Sequence, residues 1–339
     1  MLRKNTFIFG LSLLMISTVV GCKALEKNTS TDTESQKVKI YTTIYPLADF
    51  TQKIAGDLVD VESIIPSGTD SHTFEPSSKQ MIEIAQADAF IYNGFGLEPY
   101  AETITDALHK EDTLMIEATK SVETIQHEHN HAVEVSTDLH EEEEHDLEHA
   151  EESTSFDYDD HGHSHGDMDP HVWLDPYRSI TVASNIRDSL VELMPEAEDT
   201  FNQNFEALKK ELEALDKEFH TLIESKENPQ MIVSHAAYGY WEEAYGIQQI
   251  AITGISPTDE PSQKELEEII KLANDLEISY LIFEKNVSPS VARVIQDEIQ
   301  AEPLYLNNLE TLTEEDMENG EDYFSLMRKN LETLDLALD

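Results

Sequence analysis

An α/β fold in two lobes of similar design, each with a largely parallel sheet and the two bridged by one long rigid helix, is the architecture this sequence predicts. Three observations carry that reading. Short apolar runs alternate with amphipathic helical patterns between residues 38 and 119 and again after residue 230, the rhythm of parallel strands joined by crossover helices. Between these stretches Phe201, Phe205, Leu208, Leu212, Leu215, Phe219 and Leu222 recur at alternating spacings of four and three, drawing one apolar stripe through about six helical turns. A chain of 339 residues also exceeds what a single core usually organises.

The chain opens with Arg3 and Lys4 and an apolar run from Phe7 to Val20, too short for a comfortable membrane span, so residues 1–21 read as an export signal. The run ends Val19-Val20-Gly21-Cys22, which resembles a bacterial lipobox, where the cysteine receives a diacylglyceryl group and becomes the first residue. Cys22 is the only cysteine, so it forms no internal disulfide, and lipid attachment gives an exported lone thiol its purpose. Two acyl chains, at about 0.8 kcal/mol per buried methylene, anchor stably to a membrane. Residues 22–37 are polar and without apolar periodicity, a flexible tether. Loss of the two basic residues of the leader takes the formal charge from -48 to -50, which argues against a nucleic-acid partner and suits attraction of cations.

The first lobe, residues 38–193, contains the strand-like runs VKIYTTIY (38–45), VDVESII (59–65), AFIYNG (89–94) and TLMIEAT (113–119). Helical patterns fall near 46–55, 77–87 and 98–109, with Ser77 placed to cap the second, and a further helix near 176–193 closes the lobe. The striped rod occupies the linking segment 194–227; a coiled-coil partner is its structural alternative. The second lobe, 228–339, restarts with QMIVSH (230–235), GIQQIAIT (246–253), ISYLIFE (278–284) and PLYLN (303–307).

An insertion at about 120–168 interrupts the first lobe and is too polar to fold alone. From 127 to 165 it holds nine of the chain's fourteen histidines (His127, His129, His131, His140, His145, His149, His161, His163 and His165) and fourteen acidic residues, with no Lys or Arg. Imidazoles and carboxylates without a competing cation are what borderline divalent metals such as zinc prefer. The tract is either a collector of metal or a solvated acidic loop with a buffering role.

Three other histidines sit next to predicted loops between strands and helices: His72 in GTDSHTFEPS, His171 in DMDPHVWLDP just past the acidic tract, and His235 at the end of QMIVSH. Ligands of open α/β sheets bind outside the carboxyl ends of strands, so the three imidazoles are candidates to meet. Glu284, ending ISYLIFE, is the candidate fourth donor, and three nitrogens with one carboxylate satisfy a tetrahedral zinc. Each alone reads as well as a structural residue, and Glu284 also as a surface partner of Lys285 or Arg293. Asp70, Asp167, Asp169 and Asp175 flank the histidines as outer carboxylates or as turn and cap residues. Trp173, Tyr238, Tyr240 and Trp241 wall the cleft or fill the lobe cores. Pro257, Asp259, Glu260 and Pro261 form a loop at the cleft mouth or a docking contact.

The pieces IYTTIYPLADFTQKIAGD, SGTDSHTFEPS, NGFGLEPY, DPHVWLDPYRS, VSHAAYGYWEEAYGIQQIAITGISPTDEPS and LIFEKNVSP, in that order from about residue 38, resemble the metal-binding solute-binding lipoproteins of ABC transporters, a zinc and manganese family. The resemblance implies two Rossmann-like lobes, a rigid linking helix and a metal held in the cleft between lobes. On matching positions it assigns ligand roles to His72, His171, His235 and Glu284. The His-rich insertion typifies the zinc branch. A nitrogen-rich set favours Zn2+ over Mn2+, which suits more oxygen. It further implies a monomer on the extracellular face of the cell membrane, of Gram-positive type, serving a permease and its ATPase. Two rival functions follow from the same features. A metallohydrolase needs an open metal position and a base, and no nucleophile elbow is present. A surface adhesin needs only the lipid anchor and an acidic face.

Overall fold

In the computed structural model, the strand alternation becomes two four-stranded parallel sheets. The structure describes residues 37–108, 113–125, 168–285 and 290–338, within a compact unit Lys37–Asp339. The leader, Cys22, the tether as far as residue 36 and all nine histidines of the insertion lie outside the described residues. No helix among the described residues is long and apolar enough to cross a membrane.

The first sheet comprises β1 (Val38–Thr42), β2 (Val59–Ser63), β3 (Ala89–Tyr92) and β4 (Leu114–Glu117) in the order β2-β1-β3-β4. Its crossovers are α1 (Tyr45–Ala55), α2 (Ser78–Ala85) and α3 (Pro99–Leu108). The first strand stops at Thr42 rather than at residue 45, because Pro46 occupies the first turn of α1, where its fixed φ favours the helix and its missing N–H costs nothing. Ser77 caps α2 in a full capping box with Gln80. α4 (Pro176–Leu193) starts from Asp175, whose carboxylate accepts the backbone N–H groups of Tyr177 and Arg178.

α5 (Glu198–Ile223) is the rod, 26 residues and therefore about 39 Å long. It packs on α1, α4, α6 (Gly239–Tyr245) and α10 (Tyr323–Ala337). The buried stripe follows the expected positions through Phe219 and then falls on Ile223, while Leu222 is only half-buried. An α-helix drifts by about 20° per heptad against a strict 3.5-residue repeat, so over this length the buried position slips one residue.

The second sheet contains β5 (Gln230–His235), β6 (Gln248–Thr253), β7 (Tyr280–Glu284) and β8 (Glu302–Leu306), in the order β6-β5-β7-β8. That is the first sheet's order repeated. α7 (Gln263–Asp275) and α8 (Ser290–Ile299) pack on it, and α9 (Glu314–Asn319) precedes α10. The insertion leaves and returns at one place: the Asp169 amide donates to the Ile125 carbonyl at 3.1 Å, and Arg178 Nε donates to the Glu123 carbonyl at 2.9 Å. Residues 120–125, expected to belong to the polar insertion, are folded against the lobe, with Val122 buried in its core.

Candidate metal centre

Four side chains converge from the carboxyl ends of four strands. His72 lies in the loop after β2, His171 follows the connection from β4, His235 is the last residue of β5, and Glu310 lies in the loop after β8. Each offers one donor atom, and all four atoms lie within 4.8 Å of one another. The three expected histidines are therefore brought together, but the fourth partner is Glu310 and not Glu284.

The spacing is that of a coordination shell. His171 Nε2 stands 3.2 Å from His72 Nε2 and 3.3 Å from His235 Nε2. A tetrahedron with bonds of about 2.0 Å has edges of about 3.3 Å. Glu310 Oε1 is 3.6 Å from His72 Nε2 and 4.0 Å from His171 Nε2. Its other oxygen accepts from the Ser71 amide and hydroxyl, at 3.1 and 2.7 Å, which aims Oε1 at the imidazoles. Oε1 is buried and accepts no hydrogen bond from the described residues.

The outer nitrogens decide what the inner ones can do. His171 Nδ1 lies 2.8 Å from Asp169 Oδ1, which also accepts the His171 amide. His235 Nδ1 lies 2.6 Å from Glu284 Oε1. The oxygen lies off the direction of an Nδ1–H, so the contact is not a well-aligned hydrogen bond. At 2.6 Å the two atoms are in direct contact, which suits a shared proton. With Asp169 and Glu284 standing behind the Nδ1 atoms, Nε2 of His171 and of His235 face each other at 3.3 Å, an arrangement that suits a shared cation.

Burial pulls the His72 imidazole down, but the Glu310 carboxylate beside it outweighs this and holds it above its ordinary value. Burial likewise pushes Glu310 up, and the proximity and charge of His72, with the charges of His171 and His235, bring it down to about 2. In the absence of metal, a proton on His72 thus serves as the counter-charge to Glu310.

Glu284 is fully buried one layer behind His235. Tyr238 Oη donates to its Oε1 at 3.3 Å and Asn308 Nδ2 to its Oε2 at 3.1 Å. The same Asn308 accepts the Glu310 amide at 3.2 Å, so one side chain ties the two acids together. The strand-end rule applied to β7 picks out Glu284; applied equally to β8 and its loop it picks out Glu310, the residue missed.

Of the flanking acids, Asp169 backs a ring nitrogen. Asp70 accepts the His72 amide and Thr73 hydroxyl, a turn role, and Asp175 caps α4 and pairs with Arg178. Asp167 lies outside the described residues. The aromatic residues fill the core and also hold the site. Tyr240 Oη donates to the Asp169 carbonyl, Trp241 Nε1 to that of Leu174 and Trp173 Nε1 to that of Asn308, each at 2.7 Å. Gly239 is needed for close approach, since a Cβ there would stand 2.6 Å from Asp169 Oδ2. The loop at Pro257–Pro261 contributes no donor; Asp259 closes a turn onto Gly254 and Ser256.

The family model described as zinc-uptake complex component A, periplasmic, matches residues 40–337, and the chain belongs to that family. The zinc-binding protein AdcA of Streptococcus pyogenes is 38% identical over 306 residues, 89% of this chain and 56% of that protein. The chain thus spans about half the length of the AdcA relatives it matches. The high-affinity zinc uptake system protein ZnuA of Bacillus subtilis is 30% identical over 316 residues, 93% of this chain and 92% of that protein. The Zn(II)-bound ZnuA-like domain of Streptococcus pneumoniae AdcA superimposes with a TM-score of 0.69 at 33% identity, over 89% of this chain and 99% of that one. The laminin-binding protein of Streptococcus agalactiae, described as an adhesin with metal-transporting activity, gives 0.72 at 28%, over 90% and 100%. The expected solute-binding fold and family hold, and the family is one of metal-binding uptake components rather than enzymes.

Proposed function

We propose that this chain captures Zn2+ between its lobes and delivers it to the permease of an ABC importer powered by a cytoplasmic ATPase. His72, His171, His235 and Glu310 are the ligands. Glu284, first expected in that role, is an outer carboxylate. One observation carries the reading: a buried carboxylate oxygen without a hydrogen-bond donor faces three imidazole nitrogens at tetrahedral spacing. Three nitrogens and one oxygen favour zinc over manganese. The names of the AdcA and ZnuA relatives support the same metal.

The chain works as a monomer anchored through Cys22 on the outer face of the membrane. The histidines between His127 and His165 gather zinc weakly beside His171, where tethering keeps it at high effective concentration. Metal analysis of the purified chain with a Zn2+ against Mn2+ competition titration tests the capture role; zinc is expected to win, and manganese preference would overturn it. Deleting 127–165 should slow uptake at very low zinc while leaving the affinity of the purified protein unchanged. Unchanged uptake would remove the gathering role.

A further inference from the structure

We infer that Asn93 is a positioning residue of the capture site: its side chain fixes the peptide plane from which His171 projects, and the buried Glu98 carboxylate holds Asn93 to that task. The inference rests on the capture reading and deepens it. Asn93 lies just past the end of β3 and is buried. Its Nδ2 donates to the Pro170 carbonyl at 2.9 Å and also reaches the Gly94 carbonyl at 3.2 Å, so both neighbours of that nitrogen are acceptors and the amide orientation is settled. The Pro170 carbonyl and the His171 N–H belong to one planar peptide unit. Asp169 Oδ1 accepts that N–H at 2.9 Å, so the plane is clamped at both ends, once locally and once from a loop 77 positions away. His235 ends β5 and takes its direction from the sheet. His171 follows the insertion instead, and Asn93 supplies from the end of β3 the reference that a strand would otherwise give.

Asn93 is itself tightly held. Its amide donates to Glu98 Oε1 at 2.8 Å and the Gly94 amide to Oε2 at 3.0 Å, while the Thr43 hydroxyl, just past β1, also donates to Oε1. The Thr119 hydroxyl, beyond β4, donates to the Asn93 carbonyl, so these bonds join the ends of three strands. Gly94, Phe95 and Gly96 all have positive φ, at 97°, 54° and 78°, and a Cβ on Gly94 would stand 2.7 Å from Glu117 Oε1. A phenylalanine held where L residues rarely go marks a loop whose shape its surroundings impose. What that shape delivers is the Asn93 amide group against Pro170.

The test uses the full chain and its N93A, E98Q and N93A/E98Q variants, with I104V, which trims a buried position of α3, as the control for lost stability. Each is titrated with Zn2+, and its visible spectrum is recorded with Co2+ in place of zinc, since the bands of bound Co2+ report ligand geometry. N93A is expected to lose about 10–100-fold in zinc affinity, as changes just outside a ligand shell typically do, and to shift the Co2+ bands. E98Q should do the same to a smaller extent, because the amide that replaces the carboxylate still accepts one of its N–H partners. The double variant should bind zinc no more weakly than N93A, because Glu98 acts through Asn93; losses that add would overturn the role of Glu98. I104V should lower the Tm of the metal-free chain and leave affinity and spectrum as in wild type. Should N93A prove unfolded by circular dichroism, E98Q carries the same two readouts. A wild-type chain that binds zinc while N93A loses only Tm, with unchanged affinity and spectrum, overturns the inference alone. A wild-type chain that takes up neither Zn2+ nor Co2+ overturns the capture reading, and the inference with it.

Discussion

The two sheets share a strand order but not a manner of stabilisation. In the second, Met231, Val233, Ile282 and Leu306 point into a core that continues without a break through α5 and α4 to β1 and β3 of the first. Their neighbours along the strands, Ile232, Leu281 and Phe283, point the other way into a separate, smaller cluster with Ile269, Ala273, Ala292 and Ile295 of α7 and α8. Strand side chains alternate between faces, so one sheet serves two cores. The lobes are thus not two beads on a rod. The first lobe, the rod and the inner half of the second form one block, and the outer half of the second is a thin layer added to it. The four clustered side chains proposed as ligands all belong to the block side of that division or to loops tied to it.

The largest effect should come from breaking the shared core. Phe219 is fully buried against Trp241 and Tyr245, and F219A is expected to cost about 3–5 kcal/mol, with hydrogen-exchange protection falling in both sheets. I295A, in the outer cluster, should cost less and expose the amides of α7, α8 and β6 first. Equal loss of protection in the first sheet would show that the two cores are one. Next, H72A from the first lobe and H235A from the second should each weaken zinc binding by more than the about 10–100-fold typical of outer-sphere changes. A competition titration in which either matches wild type would remove that residue from the ligand set.

A subtler comparison is of pH with and without metal. The folded Glu310 is held near 2, below its ordinary 4.5, so its contribution to stability is present above pH 4.5 and lost as pH falls through about 2. His72 is raised above 6.5, so its contribution is full below that value and disappears as pH rises through its folded pKa. Zinc must displace that proton. The zinc-induced rise in Tm should therefore grow from pH 5.5 to pH 8, and a rise that is flat with pH would contradict histidine ligation. The smallest effect is expected at the surface, where Arg328 of α10 forms a two-pronged contact with Glu218 of α5 at 2.9 and 3.0 Å. Both side chains are well exposed, so R328A should cost about 0–1 kcal/mol and less at high salt in denaturant titrations.

Much of this was legible from residue order. The periodicities of two and of about 3.6 located strands and rod, Ser77 marked a helix start, and His72, His171 and His235 stood out because each lies in or beside a loop between predicted elements. Leu222 was misread because a 3.5-residue rhythm and a 3.6-residue helix part company over 26 residues. Glu310 was missed because it follows its strand by four residues, with Leu309 in a left-handed conformation at φ 60° turning the chain back toward the cluster. Nothing in the composition of NNLET announces that turn.

What the sequence determined by itself is local: element types, their order, the caps, and the supply of nitrogen donors at strand ends, because these depend on side-chain period and backbone preference within a few residues. Which of two acids joins the three imidazoles was decided only by tertiary structure. Glu284 and Glu310 are chemically the same group, and their roles separate because the parallel register of β5 with β7 sets one behind His235, while the loop after β8, bonded to Ser71 across the cleft, carries the other in front of it.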